Sequence, residues 1–182
     1  VSKFGGFLDS TLDRASEALR ARGIDDALLN FGGQLLAIGP PAGRPAREAL
    51  VAAPGGSSDP VLLVPLRDAS LSTSGSSERV RSVAGTEAGH LLDPATGRLV
   101  AFSGSATVLA PTGALADALS TAWVVEGPAA LSRSDPQGPL RRAGAVAFVL
   151  PRPDGTYEVV ADPPFTRPRP HDTGADPAGP RP

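Results

Sequence analysis

The sequence predicts an α+β fold, a mixed or antiparallel sheet carrying packed helices, and three features of its 182 residues lead there. Strand-like apolar runs recur along the chain between two helical patterns. Two pairs of those runs meet across tight turns, Gly32-Gly33 and Asp154-Gly155, which join antiparallel strands. The helices do not fall one between each pair of strands, as a doubly wound parallel sheet would require. The length suits one domain with its own core.

The elements follow in order. Residues 10–22, STLDRASEALRAR, set Leu12, Ala15, Ala18 and Leu19 on one helical face and Asp13, Arg14, Glu17 and Arg20 elsewhere, behind Ser10 or Thr11 as N-cap. Gly23 ends that helix. IDDALLNFGGQLLAIG reads as strand, glycine turn and second strand, closing at Gly39. Residues 39–68 alternate Pro/Gly loops with two short apolar runs, expected as edge strands. The serines of ASLSTSGSSERV read as a solvated loop. DPATG, residues 93–97, is a turn in which Asp93 accepts from the amides ahead and Pro94 fixes φ. SATVLAP is a β-branched strand, and TGALADALSTAWVVEG is a buried helix opened by Thr112-Gly113 and stopped at Gly127, with a second short helix after it. GAVAFVLPRPDGTYEVVADPPF closes the domain as a hairpin. Residues 166–182 are proline-rich and apolar-poor, expected as a disordered tail on a domain spanning 1–165.

Composition removes several function classes. A net charge of -2 with 20% charged residues lacks the basic footprint of a nucleic-acid binder, so no nucleic acid is expected as partner. Without cysteine there is no disulfide, thiol nucleophile or zinc ribbon. Lys3 is the only lysine, so a phosphate-binding lysine is excluded beyond position 3. No run approaches the roughly 20 apolar residues of a membrane span.

One apolar helix carries an unexpected polar set. Asp117 and Thr121 are four apart and Asp117 and Ser120 three apart, so one helical face brings three oxygens together, enough to hold one hard cation. The competing account leaves Asp117 near a helix N-terminus, favoured by the dipole, with Ser120 and Thr121 bonded back to carbonyls. Asn30, Gly32 and Gly33 make a turn whose amides can approach a ligand, or a plain hairpin turn.

Four segments in this order, FGGFLDSTLDRASEALRARGI, ALLNFGGQLLAIG, STSG followed by GHLLDPATGRLV, and SATVLAPTGALADALSTAWVVEG, resemble the FAD:protein FMN transferases of the ApbE-like family. The resemblance covers most of residues 4–165 and implies a T-fold-related α+β domain that lacks the family's N-terminal portion. It implies a Mg²⁺-dependent enzyme that takes FAD as substrate and transfers its FMN moiety to a Thr or Ser hydroxyl of a target flavoprotein subunit, releasing AMP. It implies Asp117 and Thr121 at the catalytic metal, with Ser120 beside them and the Gly6 carbonyl completing the set. The expected FAD contacts are Asp13, Asn30, Gly32 and Gly33, with Thr73, Ser74 and Gly75 matching the family's TSG and His90 and Leu92 matching its flavin-side positions, the last with an ordinary core position as its alternative. Family members are commonly exported and membrane-tethered, which implies an extracytoplasmic location. Lys3 stands where the family has an acid and Asp9 where it has a lysine, so a flavin-binding relative or a fragment without transfer activity stands as the alternative.

Overall fold

The computed structural model describes residues 5–55, 59–75, 81–83, 86–88, 91–135 and 138–169. It opens with helix α1 (Gly5–Arg20), then strands β1 (Ala27–Phe31), β2 (Gln34–Ile38), β3 (Arg47–Ala52), β4 (Pro60–Leu66) and β5 (Ala69–Gly75). A short pair, β6 (Arg81–Val83) and β7 (Thr86–Ala88), precedes β8 (Ser105–Ala110). Helices α2 (Gly113–Glu126), α3 (Pro128–Arg133) and α4 (Pro139–Ala143) lead to the final hairpin, β9 (Ala145–Pro151) and β10 (Tyr157–Ala161).

Six strands form one sheet in the order β1-β2-β5-β8-β9-β10, every neighbouring pair antiparallel. The α+β architecture with an antiparallel sheet is the one the turn chemistry predicts. Both hairpins form at the glycine turns: Gly32 and Gly33 adopt φ of 61° and 91°, and Gly155 adopts 79°, values that L side chains rarely take.

Strand alternation gives the sheet two differently covered faces. Leu36 and Ile38 of β2 meet Leu12 of α1 on one face. On that same face Ala106 and Val108 of β8 and Val146 and Phe148 of β9 meet Ala116, Leu119, Trp123 and Val124 of α2. Trp123 and Phe148 stand edge to face with ring centres 6.2 Å apart. The intervening residues, Ala37, Leu71, Ala147 and Val149, point to the opposite face, where β3 and β4 cover them as a separate two-stranded sheet through Val51, Leu62, Val64 and Leu66.

Three expectations change. Helix α1 begins at Gly5 and not behind Ser10 or Thr11, because the apolar period of Leu12, Ala15 and Leu19 extends back to Leu8, four residues before Leu12. ASLSTSG is not a solvated loop but β5, in the interior of the sheet with Ser70 and Ser72 buried. Small hydroxylic side chains hide this strand from a hydrophobicity pattern, while Ser70 satisfies its own burial by donating to the Leu35 carbonyl at 2.8 Å. At the other end, Thr166 exchanges backbone hydrogen bonds with Leu63 of β4 at 2.8 and 2.9 Å, and residues 170–182 of the expected tail lie outside the described residues.

One hub ties helix, sheet and hairpin together. Asp68, in the turn before β5, accepts from the Gly39 amide at 2.8 Å and from Arg20 of α1 at 2.6 Å. Arg47 of β3 donates to the Gly39 carbonyl at 2.8 Å. Gly39 has no alternative in this hub, since at φ 58° an added Cβ would lie 1.9 Å from the Asp25 carbonyl oxygen. The Arg20 hydrogen bond and then the Gly39 amide hold the Asp68 carboxyl below its ordinary pKa. That contribution to stability is complete above the unfolded value of about 3.9 and disappears as pH falls through the depressed one. Thermal melting of the chain is therefore expected to lose stability below about pH 4, and Asp68→Asn to lose less across that window while starting from a lower melting temperature at pH 7.

Candidate functional site

The candidate residues collect where α1, α2 and the end of β5 meet. Helix α2 starts on a cap that its own sequence supplies: the Thr112 hydroxyl accepts from the Leu115 amide at 3.2 Å, and the Thr112 carbonyl accepts from Ala116 at 3.0 Å. The two remaining first-turn amides go to a residue 100 positions away. Asp13 of α1 accepts from Gly113 at 2.6 Å with one oxygen and from Ala114 at 3.1 Å with the other. On the sheet side, the buried Gln34 amide donates to the Gly113 carbonyl at 2.8 Å and to Ser70 at 3.3 Å.

One turn further on stands Asp117. It is half-buried, and among the described residues its carboxylate has no hydrogen-bond or ion-pair partner. The dipole account of this residue fails on position, because Asp117 lies beyond the first turn, whose amides are already taken. Ser120 follows the competing account in part: fully buried, it donates to the Asp117 backbone carbonyl at 3.0 Å. Its hydroxyl also meets Ser74 of β5 at 2.8 Å. Ser74 lies 3.2 Å from the Thr121 hydroxyl as well, so one serine from the TSG stretch links the two α2 hydroxyls. Of the three oxygens predicted to hold a cation, Asp117 and Thr121 keep exposed surface and Ser120 does not.

The direction of the helices brings a fourth residue to this level. Ser70, through Gln34, lies beside Gly113 and Ser74 beside Ser120, so α2 rises along β5 in the strand's own direction. Arg20 sits at Asp68, before β5 begins, and Asp13 sits at Gly113, so α1 runs the opposite way. Counting back from Asp13 to Gly6 and forward from Gly113 to Ser120 covers the same helical rise of about 10 Å. The first turn of α1, with Gly6, thus comes level with the hydroxyls of α2.

The TSG stretch divides between the two faces of the sheet. Thr73 points away from α2 and shares a 2.9 Å hydroxyl contact with Thr107, its partner on β8. With Gly33, Gly75 and Ser105 it lines a cleft of about 420 Å³ under the β3–β4 sheet, closed by Leu50, Val51 and the chain at 52–55. The size suits a small-molecule pocket. The buried Ser105 hydroxyl at its edge has no hydrogen-bond partner among the described residues. Neither Gln34 nor Ser105 was singled out by sequence reasoning: a polar residue entering a strand carries no motif, and only burial distinguishes these two.

The other candidates lie apart. Asn30 is exposed, and its side-chain oxygen accepts from Gly33 at 3.3 Å, with Gly32 between them shaping the turn. Asp93 orders its own turn as expected, accepting from the Thr96 hydroxyl and the Ala95 amide at 2.8 Å each, and these bonds hold its carboxyl below the ordinary value. Leu92 is 54% exposed and bridges to Leu99, so the ordinary core alternative does not hold. Its neighbour Leu91 packs on the α2 cluster instead. His90 lies outside the described residues. Among the described residues no three His, Cys, Asp or Glu side chains cluster, so a cation here would draw on hydroxyl and carbonyl oxygens beside one carboxylate.

Comparison with known proteins gives one answer at the level of sequence and structure. The sequence model of the ApbE family matches residues 9–136. The chain is 39% identical over 124 residues to an FAD:protein FMN transferase of Rhodobacter capsulatus, covering 65% of this chain and 22% of that protein. It is 34% identical over 132 residues to the FAD:protein FMN transferase of Treponema pallidum, covering 67% and 36%. Among solved structures, the ApbE protein of Thermotoga maritima superposes with a TM-score of 0.69 at 30% identity, covering 82% of this chain and 48% of that one. The apo flavinyl transferase ApbE of Pseudomonas stutzeri does so with a TM-score of 0.64 at 26% identity, covering 87% and 47%. The chain therefore spans less than half the length of each of these relatives.

Ser74→Ala is expected to lower stability by about 1 kcal/mol, since it removes one of the two partners of a fully buried hydroxyl. Urea denaturation measures this, and an unchanged midpoint would show that the three hydroxyls are not joined.

Proposed function

The chain belongs to the ApbE family, and on that premise we propose that it transfers the FMN moiety of FAD to a Thr or Ser hydroxyl of a target flavoprotein, with Mg²⁺ required and AMP released. The observation that carries the proposal is the Asp117 carboxylate, half-buried beside the Thr121 hydroxyl and without a partner among the described residues. A partly exposed carboxylate that no described side chain engages is placed to meet a cation. The side-chain oxygens here, a carboxylate and a hydroxyl with the first turn of α1 and Gly6 at their level, are hard donors, which fits Mg²⁺.

Asp117 and Thr121 would hold the cation, and Ser120 serves them from behind by fixing Ser74 and the helix turn. When bound, Mg²⁺ neutralises the diphosphate oxygens and steadies the leaving group. The cleft with Gly33, Thr73 and Gly75 supports a role in holding FAD, its glycines letting backbone approach the ligand. In the transfer itself the acceptor hydroxyl forms a P–O bond at the FMN phosphorus. The diphosphate P–O bond breaks, AMP departs and the hydroxyl proton is released. The nucleophile belongs to the target, so the chain supplies orientation and charge, and no covalent residue of its own.

The test is mass measurement of a threonine-bearing acceptor polypeptide after incubation with the chain, FAD and Mg²⁺. Addition of one FMN is expected with the wild type, and Asp117→Ala is expected to slow it by roughly a hundredfold or more while circular dichroism stays unchanged. Retained FAD binding without any added FMN would identify a flavin-binding relative instead, and full transfer by Asp117→Ala would remove Asp117 from the site.

A further inference from the structure

We propose that Asp13 is a positioning residue for the cation site, acting through α2 and not by touching the flavin. The proposal rests on the reading of Asp117 and Thr121 as cation ligands.

Both Asp13 oxygens are engaged, one by Gly113 at 2.6 Å and one by Ala114 at 3.1 Å. A direct flavin contact would have to share oxygens that already each accept from a helix amide. The same bonds close the N-terminus of α2 to any ligand phosphate. Leu115 and Ala116 already donate to Thr112, so none of the first four amides of the helix is left to cradle an anion. Charge neutralisation at a diphosphate in this region must then come from elsewhere, which gives the cation ligands further along α2 their importance.

The bridge also sets a register. Asp13 bonds α1 to α2, while Gln34 fixes the carbonyl of the same Gly113 to the sheet. From that fixed point the first turn of α1 and the Asp117–Thr121 turn extend in the same direction, two turns along one helix and one to two along the other. A slip of α2 against α1 by one residue, about 1.5 Å along the axis, would misplace oxygens whose distances to Mg²⁺ must be met closely. An acid that orients ligands from outside the coordination sphere is expected to tune affinity, not to create it.

The experiment uses the full 182-residue chain and two titrations: MgCl₂ into chain equilibrated with FAD, followed by calorimetry, and FAD at saturating Mg²⁺. Asp13→Ala is expected to weaken Mg²⁺ roughly tenfold to a hundredfold and to leave FAD affinity at saturating Mg²⁺ unchanged. Asp13→Asn, which keeps an acceptor oxygen, is expected to fall between wild type and Asp13→Ala, and it carries the test if the alanine variant does not fold. Lost FAD affinity with unchanged Mg²⁺ binding would overturn the proposal in favour of a flavin contact. A lower melting temperature with both affinities unchanged would overturn it in favour of a purely structural cap. If the wild type binds no Mg²⁺ at all, the reading beneath fails and takes this proposal with it; if the wild type binds and the variants match it, only this proposal fails.

Discussion

The carboxylate of Asp13 on the first two amides of α2 is the contact on which the arrangement of this site depends. It joins segments 100 residues apart with charge-assisted hydrogen bonds at a helix end, where they are among the stronger polar contacts a fold can make. Through it α1 and α2 stand side by side on one face of the sheet. Everything proposed for the site is measured from that junction: Asp117 one turn along α2, Thr121 a further turn, and the glycine turn of α1 level with them.

The sheet supplies the second constraint. Because strand side chains alternate, adjacent residues of β5 serve opposite faces, Ser74 the helix and Thr73 with Gly75 the cleft under β3 and β4. A single short strand end thus touches both the hydroxyl cluster and the pocket. The two sides of this strand end differ in character: hydroxyl and carboxylate oxygens stand at α2, and a cleft lined by Gly33, Gly75, Leu71 and Thr73 lies opposite. Strand β5 is paired with β2 from Ala69 to Leu71 and with β8 from Ser70 to Gly75, so the strand end that carries Thr73, Ser74 and Gly75 is held by β8.

Much of this was legible before any coordinates. Glycine turns announced both hairpins, because positive φ selects glycine regardless of tertiary context, and Thr112 with Gly127 bounded α2 for equally local reasons. The spacing of Asp117, Ser120 and Thr121 was also readable, though not that burial would separate Ser120 from the other two. What escaped was set by distant partners. Strand β5 has the composition of a loop and is a strand because β2 and β8 flank it. Asp13 looks like a solvated helix residue, and nothing local shows that its donors lie at Gly113 and Ala114. Gln34 is silent for the same reason, its two partners lying 36 and 79 residues on.

The most direct test of the cation site is crystallographic. Crystals of the chain grown with FAD and Mn²⁺, a scatterer that replaces Mg²⁺ among oxygen ligands, give an anomalous difference map that locates the ion independently of any activity. The ion is expected in contact with the Asp117 carboxylate and the Thr121 hydroxyl, beside the first turn of α1. An anomalous peak elsewhere, with the Asp117 side chain turned to solvent, would contradict the account.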